Sequence, residues 1–172
     1  NFKNVTFVDY LFETYYDTLP KNSQNIEFKK RALEKIAVEI GRIAPEITWT
    51  ENKRNYKLST INEARNYVLI FWSTTCFHCL REIPKLNAFT QDKKHIKVIA
   101  FGMEEQEKDW KKHALKLKGW HHILGLGKWG NPTASAYQIY STPTYIVLDS
   151  SKRIIAKPET LEELKKIIRY LE

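Results

Sequence analysis

The chain has 172 residues, enough for one domain with a full core plus an extension. Hydrophobic residues make up 42% of it, which argues against a disordered chain, and no apolar run approaches the length of a transmembrane helix. The formal net charge is +8, but acids are interleaved with the bases, there is no basic tail, and no nucleic-acid motif accompanies the charge.

Residues 1–44 read as helical, and they form an N-terminal extension. Phe7, Tyr10, Leu11 and Tyr15, then Ile26, Leu33, Ile36, Ala37 and Ile40, recur at helical spacings. Residues 20–25 break the two stretches, and Gly41 with Pro45 ends the second. Membrane attachment through a segment preceding Asn1 is compatible with this start.

After Pro45 the pattern changes, and residues 45–172 read as one α/β domain. Residues 47–50 and 56–58 are short strands, and Thr60 with Glu63 has capping-box spacing that predicts a short helix. Residues 67–72 form a continuous apolar run of β-formers, as in a buried central strand. A helix is expected over 76–89, a second buried strand over 96–101 and an amphipathic helix over 105–118. Residues 143–148 and 153–156 are strands joined by a hairpin at 149–152. Thr160 and Glu163 box the start of a last helix, with Leu161, Leu164, Ile167, Ile168 and Leu171 inward. This order predicts an α/β sandwich with a mixed sheet. The densest basic stretch, 108–122, carries Lys111, Lys112, Lys116 and Lys118. It reads as a solvated helix face, the alternative being a docking surface for acidic partners or anionic lipid.

Two cysteines are present, in Cys76-Phe77-His78-Cys79. A stabilising disulfide closes a long loop, and this pair closes almost none, so reactivity is the better explanation. A buried strand delivers Cys76 to a helix start, where unsatisfied N–H groups and the helix dipole favour a thiolate. Cys79 lies one turn on, within disulfide reach, so Cys76 should attack and Cys79 should resolve. Zinc is the competing use, with His78, His95, His113, His121 and His122 available. The spacing fits poorly: there is no second Cys pair, and His121 and His122 are adjacent and point to opposite faces of a strand. No metal is therefore expected.

The run Ile70-Phe71-Trp72-Ser73-Thr74-Thr75-Cys76-Phe77-His78-Cys79, followed by Leu80-Arg81-Glu82-Ile83-Pro84, resembles the active-site block of the thioredoxin superfamily. Within it the chain is most similar to the TlpA/ResA-like branch of bacterial envelope oxidoreductases. Ala44-Pro45-Glu46-Ile47 resembles that branch's entry segment, Trp110 sits in the helix after the second core strand, and Tyr137 with Ser141-Thr142-Pro143-Thr144 resembles the cis-proline segment. The resemblance covers 44–172. It departs from the family at Thr75, where Trp is usual, at Phe77-His78, where the dipeptide usually contains Pro, and at Ser150-Ser151, where Gly is common.

The resemblance implies a thioredoxin-like three-layer sandwich with a mixed central sheet. It also implies a thiol–disulfide oxidoreductase of the bacterial periplasm or envelope, more reductase than oxidase, with no cofactor beyond the Cys76–Cys79 disulfide. Partners would be disulfide or dithiol proteins and an upstream electron donor or acceptor. Read from the residues alone, Glu82 is an exposed helix acid pairing with Lys85; the resemblance makes it a buried proton acceptor for Cys79. His78 either stabilises the Cys76 thiolate and makes the disulfide easier to reduce, or is an exposed polar residue. The resemblance implies a cis Thr142–Pro143 bond whose backbone pairs with an extended substrate. Trp72 and Phe77 line the site, or belong to core and rim. Pro84 should kink the active-site helix. Two other functions compete: a thiol peroxidase, for which Ser73 and residues 67–69 fit the usual pattern poorly, and a binding module recruited through the N-terminal helices.

Overall fold

The structure, a computed structural model, describes Tyr10, Thr14, residues 16–20 and residues 23–172. Compact units divide between Ile36 and Ala37. In the first unit helix α1 spans Ser23–Ile36, after a 3-10 turn at Tyr16–Thr18. The Tyr16 and Phe28 rings pack with centroids 5.7 Å apart. Most of the helix expected before Pro20 lies outside the described residues. The expected second helix stops at Ile36, short of residue 44. Val38 and Ala44 are buried in the core of the second unit, and Gly41 turns with φ +94° while its N–H donates to the Ile154 carbonyl at 2.8 Å. Residues 37–44 therefore trade helix for bonds to a strand.

The second unit opens with a hairpin, β1 (Thr48–Glu51) and β2 (Arg54–Lys57), turned by Asn52 and Lys53 at positive φ. The capping-box spacing at Thr60 and Glu63 does not open a helix. The buried Tyr67 hydroxyl accepts the Glu63 N–H at 2.9 Å and donates to the Ile61 carbonyl at 3.1 Å, so tertiary bonds replace the helical ones.

The central sheet has the order β5-β4-β3-β6-β7. Strand β3 (Asn66–Trp72) lies at its centre with all seven residues buried, which is why its sequence shows no alternation. Helix α2 (Phe77–Thr90) follows, then β4 (Ile96–Glu104), parallel to β3. Helix α3 covers Glu107–Ala114 and β5 covers His121–Leu126, parallel to β4. A short helix α4 (Pro132–Ala136) leads to β6 (Thr144–Leu148) and β7 (Ile154–Ala156), both antiparallel to their neighbours. Helix α5 (Leu161–Tyr170) closes the chain, with the Thr160 hydroxyl accepting the Glu163 N–H.

Alternate residues of β3 feed two cores. Tyr67, Leu69 and Phe71 pack with Phe101, Met103 and Tyr137 on one face. Val68, Ile70 and Trp72 pack with Cys79, Ile83 and Leu86 of α2 and Leu164 and Ile168 of α5 on the other. This is the three-layer α/β sandwich with a mixed sheet. The helix expected over 105–118 ends at Ala114, because Leu117 and Trp120 turn into the core and Gly119 takes φ +80°.

Candidate active site

The end of β3 fixes the site. Trp72 is its last residue, Ser73 to Thr75 make a short loop, and Cys76 becomes the N-cap of α2 with extended backbone, φ −92° and ψ 111°. The loop closes on itself: the Ser73 carbonyl accepts the Cys76 N–H at 3.2 Å, and the Ser73 hydroxyl accepts the Thr75 N–H at 3.2 Å. Cys76 is thus held where a helix leaves N–H groups unsatisfied, and its Sγ accepts the Cys79 N–H at 3.1 Å. The Cys76 sulfur thus faces that donor and the positive end of the helix dipole.

The two sulfurs differ in environment. Cys76 is half-buried, whereas Cys79 is 0% exposed, and both are free thiols. Burial first, and the neighbouring Cys76 sulfur second, push the Cys79 thiol up to about 12. Beneath it a cavity of about 290 Å³ is walled by Trp72, Cys79, Leu80, Ile83, Pro84 and Leu117.

The Thr142–Pro143 peptide bond is cis. The Cys76 thiol donates to the Thr142 carbonyl at 3.2 Å, which brings the loop before β6 against the helix mouth. Tyr145, buried on β6, donates to Glu82 Oε2 at 3.1 Å. Burial and then the Glu82 charge push the Tyr145 hydroxyl well above its ordinary value, so it remains a donor. Glu82 is half-buried, and Arg81 Nη2 also donates to its Oε1 at 3.3 Å. Its partners are therefore Arg81 and Tyr145, not Lys85.

Arg81 organises the exposed side of the helix mouth. Its Nη2 lies 3.2 Å from His78 Nδ1, and its guanidinium stands 5.9 Å from the Phe77 ring centroid. A guanidinium only donates, so His78 Nδ1 accepts and the remaining ring proton sits on Nε2. Phe77 is exposed and lies beside Cys76 as a rim residue. Trp72 is 1% exposed and packs with Cys79 in the core, where it also walls the cavity beneath that sulfur.

The other histidines are spoken for elsewhere. His121 sits between Glu51 Oε2 at 2.6 Å and Glu63 Oε1 at 3.0 Å, and His122 donates from Nε2 to the Leu117 carbonyl at 2.8 Å. Three residues that sequence reasoning did not single out shape the site: Arg81, Tyr145 and Glu104. Glu104 could have been found as an acid directly after the apolar run of residues 98–103.

Residues 65–154 match the thioredoxin-like family. The chain is 26% identical over 144 residues to the thiol-disulfide oxidoreductase ResA of Geobacillus kaustophilus, covering 81% of this chain and 80% of that protein. Among solved structures, a thioredoxin-like protein from Bacteroides caccae superposes with a TM-score of 0.70 at 20% identity; the match covers 90% of this chain and 58% of that one. A domain of a possible thiol-disulfide isomerase from Cytophaga hutchinsonii gives a TM-score of 0.64 at 30% identity, covering 77% of this chain and 92% of that one. With the family match spanning more than half its length, the chain belongs to the thioredoxin-like family, as a relative of the ResA thiol–disulfide oxidoreductases.

Proposed function

We propose that the protein exchanges disulfides with other proteins through Cys76 and Cys79, in the reducing direction. The observation that carries this reading is the pair's asymmetry: an accessible sulfur capping a helix, and a buried one a turn behind it whose N–H it accepts at 3.1 Å.

The Cys76 thiolate attacks one sulfur of a substrate disulfide. A Cys76–substrate disulfide forms, and the other substrate sulfur leaves as a thiolate that takes a proton from water. Cys79 then loses its proton and attacks the Cys76 sulfur. The second substrate sulfur leaves, so the substrate carries two thiols and Cys76–Cys79 is oxidised. A dithiol protein upstream restores the reduced pair. Glu82 is the group proposed to take the Cys79 proton, since a thiol held near 12 needs a base to ionise at neutral pH. His78, through Nε2–H, tunes the Cys76 sulfur. The backbone at Thr142 and Pro143, beside Cys76, receives an extended substrate segment, with Phe77 at its rim.

The direction of electron flow and an address in the bacterial envelope rest on the likeness to the TlpA/ResA-like branch. The test is turnover. With dithiothreitol as electron source, the wild-type protein should accelerate insulin reduction, and Cys76→Ser should abolish the acceleration. Equal rates for the two would remove the reading.

A further inference from the structure

Strand β4 runs two residues beyond the point where β3 stops. Trp72, the last residue of β3, pairs with Gly102, and Met103 and Glu104 continue alone on that side. Glu104 is thereby carried beneath the loop that connects β3 to α2. Its side chain belongs to a residue only 3% exposed, an unusual place for an acid. Its oxygens are nevertheless well supplied with donors, and all of them come from that loop. Oε1 accepts the Thr74 N–H at 2.6 Å, and Oε2 accepts the Thr74 hydroxyl at 3.0 Å and the Ser73 hydroxyl at 3.4 Å.

A carboxylate buried at this depth persists only with such donors, and the loop has few other ways to satisfy its own groups. The Thr74 N–H in particular points inward from a segment that has left the sheet and not yet entered the helix. The rest of the loop hangs from the same point. Ser73, held by Oε2, shares a 2.9 Å hydroxyl contact with Thr75 and lends its carbonyl to the Cys76 N–H. The chain thus passes from Glu104 to Ser73 and Thr74, and from these to the backbone that sets Cys76 as N-cap.

We propose that Glu104 is a positioning residue for the nucleophile: by holding Ser73 and Thr74 from β4, it fixes the entry loop that places the Cys76 sulfur over the start of α2. This rests on the reading of Cys76 as the attacking sulfur. Glu104 touches no reacting atom and acts only through the loop. Its acceptor geometry matters more than its charge, because the partners are one amide and two hydroxyls. A glutamine would still accept from the Thr74 N–H and could donate its amide hydrogens to the hydroxyls.

The test is the rate at which iodoacetamide alkylates Cys76 in the reduced protein at pH 7, read by mass spectrometry, in the wild type, E104A, E104Q and E46A. Glu46 is a second anchoring carboxylate, accepting from the Ile47 N–H at 3.1 Å and the Ser59 N–H at 3.0 Å, so E46A controls for general loosening. E104A should slow Cys76 alkylation by about tenfold, as expected when a reacting group loses its placement. E104Q should stay within about threefold of wild type, since it keeps the loop's partners, and E46A should leave the rate unchanged. Should E104A prove too unstable to assay, Thr74→Pro, which removes the N–H that Oε1 accepts, should slow the reaction in the same sense. E104A reacting at the wild-type rate would overturn the proposal. So would E104Q being as slow as E104A, since charge would then be the cause, or E46A being equally slow. A wild-type Cys76 that is itself unreactive would remove the reading of the nucleophile and this proposal with it.

Discussion

Tyr145 and Glu82 meet behind the cysteine pair, the Tyr145 hydroxyl donating to Glu82 Oε2 at 3.1 Å. One comes from the strand that follows the cis-proline loop, the other from the helix that carries both sulfurs. The hydrogen bond fixes one carboxylate oxygen, while Arg81 holds the other. Tyr145→Phe keeps the ring in the core and removes only this donor. The resolving step should slow by about fivefold, the equivalent of one hydrogen bond of about 1 kcal/mol. Stopped-flow of the reduced variant against a labelled disulfide peptide measures it, and the initial attack by Cys76 should be unaffected.

His78 offers a second handle. With Nδ1 engaged by Arg81, Nε2–H is the ring's remaining donor. His78→Pro removes this donor at the second position of α2, where proline is tolerated. The wild-type pair should have a potential above the thioredoxin value of about −270 mV, and His78→Pro should lower it by about 30 mV or more. Equilibration against glutathione buffers gives both numbers. A wild-type potential at or below about −270 mV contradicts the tuning role.

The cysteine pair and its place between strand and helix were legible because a CxxC after a buried β-run is a local pattern. So were β3, a continuous run of apolar β-formers, and α2 and α5, whose apolar residues recur at helical spacings. The partners that make the site work were less visible. Tyr145 reads as one more core aromatic until β6 is paired with β3 in register. Glu104 becomes a loop anchor only because β4 outruns β3 by two residues. Strand β5 was missed because His-His-Ile-Leu-Gly-Leu is short, polar at one end and interrupted by glycine. The helix signal at Thr60 and Glu63 lost to the Tyr67 hydroxyl, a residue whose reach only the fold reveals.

Stability should fall in acid in two stages. Burial holds His122 below the ordinary imidazole value, and its Nε2–H is already committed to Leu117. Below about pH 6.5 the unfolded chain binds a proton at this position that the folded chain refuses, so stability is lost as pH drops towards the folded value. Glu46 and Glu63 behave alike at lower pH. Burial raises each, but hydrogen bonds from Ser59 to Glu46 and from Lys97 and His121 to Glu63 outweigh it and hold both below the usual carboxylate value. Their contribution is present above about pH 4.5 and is lost beneath it. Urea midpoints at pH 7.5, 5.5 and 4 should decline in that order, and His122→Gln should flatten the first interval.

Gly102 tests the packing of α3 on the sheet. A Cβ built there would lie 2.2 Å from Trp110 Nε1, so the indole must move. Gly102→Ala should cost about 1–3 kcal/mol through overpacking, lowering the melting temperature by about 3–8 °C. Calorimetry gives the shift, and altered tryptophan fluorescence would report the displaced indole.

The central claim is that Cys76 attacks and Cys79 resolves, and trapping with a small aromatic disulfide such as 5,5′-dithiobis(2-nitrobenzoate) tests it directly. At neutral pH, Cys79→Ser should accumulate a stable mixed disulfide on Cys76, seen by mass spectrometry, while Cys76→Ser, left with a buried thiol held near 12, should form almost none. An adduct forming on Cys79 as fast as on Cys76, or on neither sulfur, would contradict the account.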